Sequence, residues 1–535
     1  MRRIARSMSG VLLCAAALLL LLLAGPSSAL ADSSAVGPVL PVSYFVLIDA
    51  GSTGSRAHVH EYRVDPSRPL PLVEESKNLK LKPGLSSYAK KPQDAAESIQ
   101  ALLTFIKTVV PQEQWAKTPI QVHATAGLRS VTPAEANEVL EVVRDELARS
   151  GFLFERNWAR VISGEQEGIN GWMAVNYLLG VFDQPAPKDG KPPASTGVVE
   201  MGGSSMQITF SPSNPSEDDR KQLNEVRVAG HTYWLYTHSF LQYGLQAAEK
   251  LYQKLAIAEI EEKGNPCYPP NFRHSSVGDF DRCTSSLSDV VDKSVACAAK
   301  HCSFNGVYQP AITNEQFLAI ENFYYTAKFF GTAEEQDAPP AIAAAGSTAL
   351  PVASPPTGNQ VIPGLRRKGK EFCNRDWEQL REQYAKTSAD ELKAFCFSAA
   401  YQTVVLESGL GFTPETNLRV AKKIGGKGID WEMGAVLFEL MPKDPAVLAA
   451  QKAEEDARLH RARAVVFDDA EGMRRVAAVN MNALPSQHTG GICQQCLLYT
   501  VLVAAVVVMG YFAYRRYYRT KGLTHSYSQA GFNRV

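Results

Sequence analysis

Apolar positions along this chain change period several times, and each change marks an element. Residues 44–48 and 120–123 are short runs of β-forming side chains, while 95–110 and 134–150 place apolar residues at helical spacing. Strands alternating with helices predict an α/β fold. A Pro- and Lys-rich loop at 185–193 separates this half from a second one, which opens on a strand at 197–200. A domain border is expected there. Residues 333–363 are rich in Ala, Pro and Ser without a period, which predicts a flexible surface insert. The stretch 446–491 is Ala- and charge-rich and reads as a helical stalk.

Both termini carry apolar runs of a different kind. The first follows Arg2, Arg3 and Arg6, covers 11–24 and leads to the small-residue step Ala29-Leu30-Ala31. It is too short to span roughly 30 Å of hydrocarbon, and its flanks predict a secretory signal peptide over 1–31. The second, 497–514, is uncharged, long enough for a transmembrane helix, and followed at once by Arg515, Arg516, Arg519 and Lys521. The positive-inside rule then makes 515–535 a cytoplasmic tail. A single-pass type I protein of the secretory pathway is expected, with its main part outside the cell or in the Golgi lumen.

Composition narrows the function. The 535 residues hold 55 Lys plus Arg and 55 Asp plus Glu, a net charge of zero, which argues against a nucleic-acid partner held by charge. Of nine cysteines, Cys14 leaves with the signal and Cys493 and Cys496 lie beside the anchor. Six remain: Cys267, Cys283, Cys297, Cys302, Cys373 and Cys396. An even set in an oxidising compartment predicts three disulfides, in any of about fifteen pairings. No Asn-x-Ser/Thr sequon is present, since Asn214 precedes Pro215.

The chemistry is carried by a repeat. Residues 48–55, IDAGSTGS, and 199–206, VEMGGSSM, each run from a strand end through an acid into a Gly-rich turn with hydroxyls. Acids at strand ends can hold a hydrated cation, and glycines let main-chain N–H groups approach phosphate oxygens. Two such loops can clamp one polyphosphate. Thr125, Gly127 and Arg129 after the 120–123 strand add a hydroxyl, a flexible residue and a planar cation suited to phosphate. Residues 162–168, ISGEQEG, set acids beside glycines in what reads as a tight turn, where a carboxylate can take a proton from water.

Five stretches, IDAGSTGSR at 48–56, ATAGLRS at 124–130, ISGEQEGINGW at 162–172, VEMGGSSMQITF at 199–210 and DWEMG at 430–434, together resemble the conserved regions of the apyrases. These are the ecto-nucleoside triphosphate diphosphohydrolases. NPCYPP at 265–270, CSFNGVYQP at 302–310 and FYYT at 323–326 match in the same order. The resemblance implies two RNase H-like lobes of the actin, hexokinase and Hsp70 superfamily around a central cleft: 44–185 completed by a helix near 431–445, and 186–430. It implies hydrolysis of the terminal phosphate of nucleoside di- and triphosphates without a phosphoenzyme. Glu167 matches the general base, and Ser205 and Gln207 the pair that positions water. Asp49 and Glu200 match the acids that hold Ca²⁺ or Mg²⁺ through water, with Trp431 nearby. Ser52, Thr53, Gly54, Ser55 and Arg56, then Thr125, Ala126 and Arg129, with Gly202, Gly203 and Ser204, match the phosphate loops, and Tyr325 a base-stacking ring.

Three departures stand out. Glu200 replaces the usual Asp, Glu391 stands where a stacking partner is expected, and the cysteine set is incomplete. By resemblance the pairs are Cys267 with Cys297, Cys283 with Cys302 and Cys373 with Cys396. A Golgi-type diphosphatase acting on UDP or GDP and a non-catalytic nucleotide-binding membrane protein are the alternative readings, and oligomeric state is not readable.

Overall fold

The computed structural model describes residues 40–441, apart from 186, 188, 189, 214, 274, 298, 314 and 333–360. The signal, stalk, anchor and tail expected at 1–31, 446–491, 497–514 and 515–535, and the pair Cys493 and Cys496, lie outside the described residues. Among the described residues no helix is long and apolar enough to cross a membrane.

The first half builds a five-stranded sheet. Strands β1 (Ser43–Ala50), β2 (Ser55–Arg63) and β3 (Leu72–Leu81) form an antiparallel meander. Strands β4 (Ile120–Ala124) and β5 (Ala159–Val161) add in parallel beyond β1, giving the order β3-β2-β1-β4-β5. Helices α1 (Ala95–Val109) and α2 (Pro133–Ala148) cover one face. The start of α2 is written locally. Pro133 opens the helix, the Thr132 hydroxyl accepts from the Glu135 N–H, and the Thr132 N–H donates to Glu135 Oε2 at 3.0 Å. Helix α3 (Gly164–Leu178) follows. The tight turn expected at 162–168 is instead its first turn, with Ser163 as the cap whose hydroxyl accepts from the Gln166 N–H.

The second sheet repeats the plan. Strands β6 (Gly197–Met201), β7 (Ser205–Phe210), β8 (Asn224–Val228) and β9 (His231–Leu241) pair antiparallel, and β10 (Gln316–Glu321) and β11 (Asn417–Val420) run parallel beyond β6. The order is β11-β10-β6-β7-β9-β8. The outer face packs helices α4 (Leu245–Leu255), α5 (Asn322–Phe329), α6 (Val361–Cys373) and α7 (Ala389–Val404). A short hairpin, β12 (Lys423–Ile424) and β13 (Lys427–Gly428), then leads into α8 (Trp431–Leu440).

Between the two sheets α3 packs on β6, β7 and β9, while α8 lies on α3 and reaches β1 and β3. The two helices cross closely because residue 434 is glycine; a Cβ there would collide with the Asn170 carbonyl. Strand alternation then decides what faces this middle layer. Val46, Ile48 and Ala50 enter the outer core under α1 and α2, whereas Phe45 and Leu47 enter the middle core, and Asp49 shares their face. On β6, Val199 and Met201 face outward and Val198 inward, so Glu200 also points inward. On β7, Met206, Ile208 and Phe210 belong to the outer core, which turns Ser205, Gln207 and Thr209 to the middle.

Two expectations are corrected here. The insert ends sooner than 363, because Val361 and Ile362 already belong to α6 and are buried in the second core. The cysteines pair as Cys267–Cys283, Cys297–Cys302 and Cys373–Cys396, with Cα separations of 4.9, 6.3 and 5.0 Å. The proposed pairs Cys267–Cys297 and Cys283–Cys302 are replaced for a local reason. The Val277 N–H donates to the Asn265 carbonyl and the Asp279 N–H to the Pro266 carbonyl, so the chain before Cys267 lies against the helix start that carries Cys283.

Candidate active site

The two Gly-rich turns meet at the mouth of the middle layer. A Cβ on Gly203 would lie 2.7 Å from Gln246 Oε1 and 3.2 Å from Ser52 Oγ, so glycine lets this loop approach the other closely across the cleft. Between them is a cavity of about 360 Å³. Its wall holds Asp49, Ser52, Thr53, Gly54, Arg56, Thr125, Ala126, Glu167, Glu200, Gly202, Gly203, Ser204, Ser205, Tyr325 and Trp431. Apart from Gly127, which packs against the Ser52 backbone, all but four of the residues expected for the chemistry or substrate are in that wall; the exceptions differ in kind. Gln207 and Arg129 stand just behind it and bond to its side chains. Ser55 is fully buried at the start of β2 and is not part of the wall. The fourth, Glu391, serves its helix: the Ser388 cap hydroxyl accepts from the Glu391 N–H at 3.3 Å and donates to Glu391 Oε2 at 2.9 Å.

Glu167 is fixed by two donors. Arg129 Nη2 reaches its Oε2 at 2.8 Å and Gln207 Nε2 reaches the same oxygen at 3.2 Å. Gln207 Nε2 also bonds Ser205 Oγ and Ser239 Oγ, each at 2.9 Å, and Arg129 Nη1 donates to the Ile162 carbonyl. Residues from α3, β7, β9 and the turn after β4 are thereby tied into one network. Burial raises the Glu167 carboxyl above the ordinary range, with Arg129 pulling it back and Glu432 adding to the rise.

The acids crowd. Burial lifts Asp49 well above its usual range, reinforced by the charge on Glu432, and burial likewise lifts Glu200, reinforced by Glu167 and Glu321. Asp49 Oδ1, Glu200 Oε2 and Glu432 Oε2 are buried side-chain oxygens without a hydrogen-bond partner. Buried carboxylate oxygens left unpartnered in a cleft are the donor set a hard divalent cation requires, so these residues fit one. Among the described residues no three acids, histidines or cysteines converge closely enough to ligate a metal directly.

Several wall residues were not singled out from the sequence: Lys80, Lys82, Gln246, Glu321, Asn322, Asp430 and Glu432. Lys80 and Lys82 lie at and beyond the end of β3, where nothing local marks them. Glu321 adopts φ 58°, a left-handed conformation, and Asn322 beside it donates to the carbonyls of Met201 and Gly202 at 2.8 and 3.1 Å. Tyr325 stays 44% exposed, with Lys422 Nζ 5.2 Å from its ring centroid. Trp431 is buried and stacks on His123, centroids 6.2 Å apart.

Twin sheets of matching topology, with acids and Gly-rich loops facing each other across one cleft, define a two-lobed α/β phosphate-handling enzyme. The GDA1/CD39 (nucleoside phosphatase) family model matches residues 41–452, and the chain belongs to that family. It is 34% identical over 433 residues to probable apyrase 5 of Arabidopsis thaliana, covering 74% of this chain and 82% of that one. It is 28% identical over 450 residues to ectonucleoside triphosphate diphosphohydrolase 1 of Bos taurus, covering 76% and 82%. The solved nucleoside triphosphate hydrolase structure from Neospora caninum shares its fold, with TM-score 0.54 at 15% identity over 75% of this chain and 92% of the other. The protein is a nucleotide phosphohydrolase of the apyrase type.

Proposed function

We propose that the protein releases the terminal phosphate of nucleoside tri- and diphosphates in a reaction dependent on Ca²⁺ or Mg²⁺, with water attacking in line and Glu167 as general base. The observation that carries this reading is the network around Glu167. Arg129 and Gln207 both engage Oε2, so Oε1 is the oxygen able to accept a proton from water. Ser205 Oγ, held by the same Gln207 and by Arg129, would orient that water. Ser52, Thr53, Thr125, Gly203 and Ser204 line the cavity where the terminal phosphate would sit, and their main-chain N–H groups and hydroxyls would donate to it. Asp49 and Glu200 would hold the cation through its waters, and a bound cation neutralises charge on the phosphate oxygens. Tyr325 would face the base. Positioning and electrostatics supply most of the rate in such a site.

The apolar segments 11–24 and 497–514 support a signal and anchor, and with them a lumenal or extracellular cleft. Three disulfides support the same compartment. The deciding experiment measures phosphate release by the purified full chain from ATP, ADP, UDP, GDP and AMP, with Ca²⁺, Mg²⁺ or chelator. Release from tri- and diphosphates, absent with AMP and abolished by chelation, is expected. Undiminished release in chelator would overturn the cation requirement, and no release from any substrate would overturn the activity.

A further inference from the structure

Glu432 carries an unpartnered buried oxygen, as Asp49 and Glu200 do, but has no part in the reaction proposed above. It stands in the first turn of α8, is 3% exposed, and lines the cleft with Asp49, Glu167 and Glu200. Its Oε1 lies 3.1 Å from His58 Nε2, while its Oε2 is buried with no hydrogen-bond partner. His58 is itself fully buried on β2. Ala57 and Val59 face the outer core, so alternation turns His58 to the middle layer beside Asp49, whose strand pairs with β2. Of the charged groups around Asp49, Glu432 acts on it most strongly.

A further carboxylate buried among three others is costly unless positive charge offsets it. Arg129 pairs with Glu167 at 2.8 Å, while Arg56 lies 3.6 Å from Asp430 and, with His58, also offsets the charge of Glu432. His58 meets one oxygen of Glu432 and fixes its direction. The other oxygen is buried without a partner, in a residue that lines the cleft with the acids that fit a cation, and hard cations gain affinity as oxygen ligands and negative charge are added.

We propose that Glu432, oriented by His58, is a third carboxylate of the cation site and shares the cation's water shell with Asp49 and Glu200. This rests on the cation reading above. Glu432 is the added binding residue and His58 a positioning residue.

The test needs no turnover. Mn²⁺ is titrated into the full chain, alone and with a non-hydrolysable ATP analogue, and free Mn²⁺ is read by electron paramagnetic resonance. Glu432→Gln should weaken Mn²⁺ binding about 10-fold or more, and His58→Gln by a smaller factor, on the scale measured for groups that orient metal ligands. Glu432→Asp should recover part of the affinity. A wild type that binds Mn²⁺ and a folded Glu432→Gln that binds it equally well would overturn this inference and leave the cation reading intact. A wild type that binds no Mn²⁺ in either condition would overturn both. Should Glu432→Gln fail to fold, unchanged Mn²⁺ affinity in Glu432→Asp and His58→Gln overturns the inference instead.

Discussion

Glu167→Gln isolates the proposed base, because the amide keeps the shape of the side chain and can still accept the Arg129 hydrogen bond now 2.8 Å long. What it loses is the capacity to take a proton from water. General-base catalysis is worth about 10²- to 10⁴-fold, or about 3 to 5 kcal/mol of barrier at 1.36 kcal/mol per decade. The fold should tolerate the change. Gln207 and Arg129 retain Ser205, Ser239 and the Ile162 carbonyl as partners, and one charge leaves a cleft where Asp49, Glu200 and Glu432 already repel. A melting temperature within about 1 °C of wild type corresponds to roughly 1 kcal/mol in a chain with several hundred folded residues. The assay is steady-state phosphate release from ADP and ATP, paired with calorimetric binding of a non-hydrolysable analogue. Turnover should fall at least about 10²-fold while analogue affinity holds. The pH profile carries a second sign. Burial raises the Glu167 carboxyl, so wild-type rate should be present above that raised value and lost as pH falls through it, and the variant should lack this acid limb. A folded variant whose turnover stays within about fivefold of wild type would refute the assignment, since no general base contributes so little.

Three further outcomes are expected. His123 is buried beside Trp431, and burial, aided by Arg160, holds its imidazole down to about 3 from 6.5. The unfolded chain therefore takes up a proton below about pH 6.5 that the folded chain refuses, and stability is lost as pH falls, by up to roughly 1.4 kcal/mol per pH unit from this group; melting curves at pH 7 and 5 should shift less in His123→Phe than in wild type. Non-reducing peptide mapping should recover Cys267 joined to Cys283, and Cys267→Ala, Cys283→Ala and the double variant should melt alike, each about 3 kcal/mol below wild type for a loop of this length. Any Cys267 to Cys297 peptide would contradict the fold. Gly203→Val should raise KM for nucleotide well above wild type, because its side chain would press on Gln246 and Ser52; an unchanged KM would show that the loops part freely.

The sequence by itself determined the local grammar of this protein. Strand alternation at 44–50 and 197–201, the Gly-rich turns after Asp49 and Glu200, and the Thr132 cap are all interactions between near neighbours. Matching spacing in two places made the pair of Gly-rich loops legible, and the apyrase-like stretches implied the two lobes and marked Glu167, Ser205, Gln207 and most of the cleft wall. The tertiary structure decided what depends on side chains far apart in the chain. Glu432 gives no local signal, since an acid in the first turn of a helix usually favours the helix dipole in solvent; only the packing of α8 between the sheets buries it against His58, which is supplied by β2. The cysteine pairs likewise follow from which segments lie side by side, a matter of backbone hydrogen bonds such as Asp279 to Pro266 that spacing alone does not encode. Glu167 shows both sides of this division. Its residue type and glycine neighbours were visible in the sequence, but a helix rather than a turn carries it, and Arg129, Gln207 and Ser205 reach it only because two separate sheets close on one layer. Local chemistry is written by neighbours in sequence, while burial and partnership are set by long-range packing.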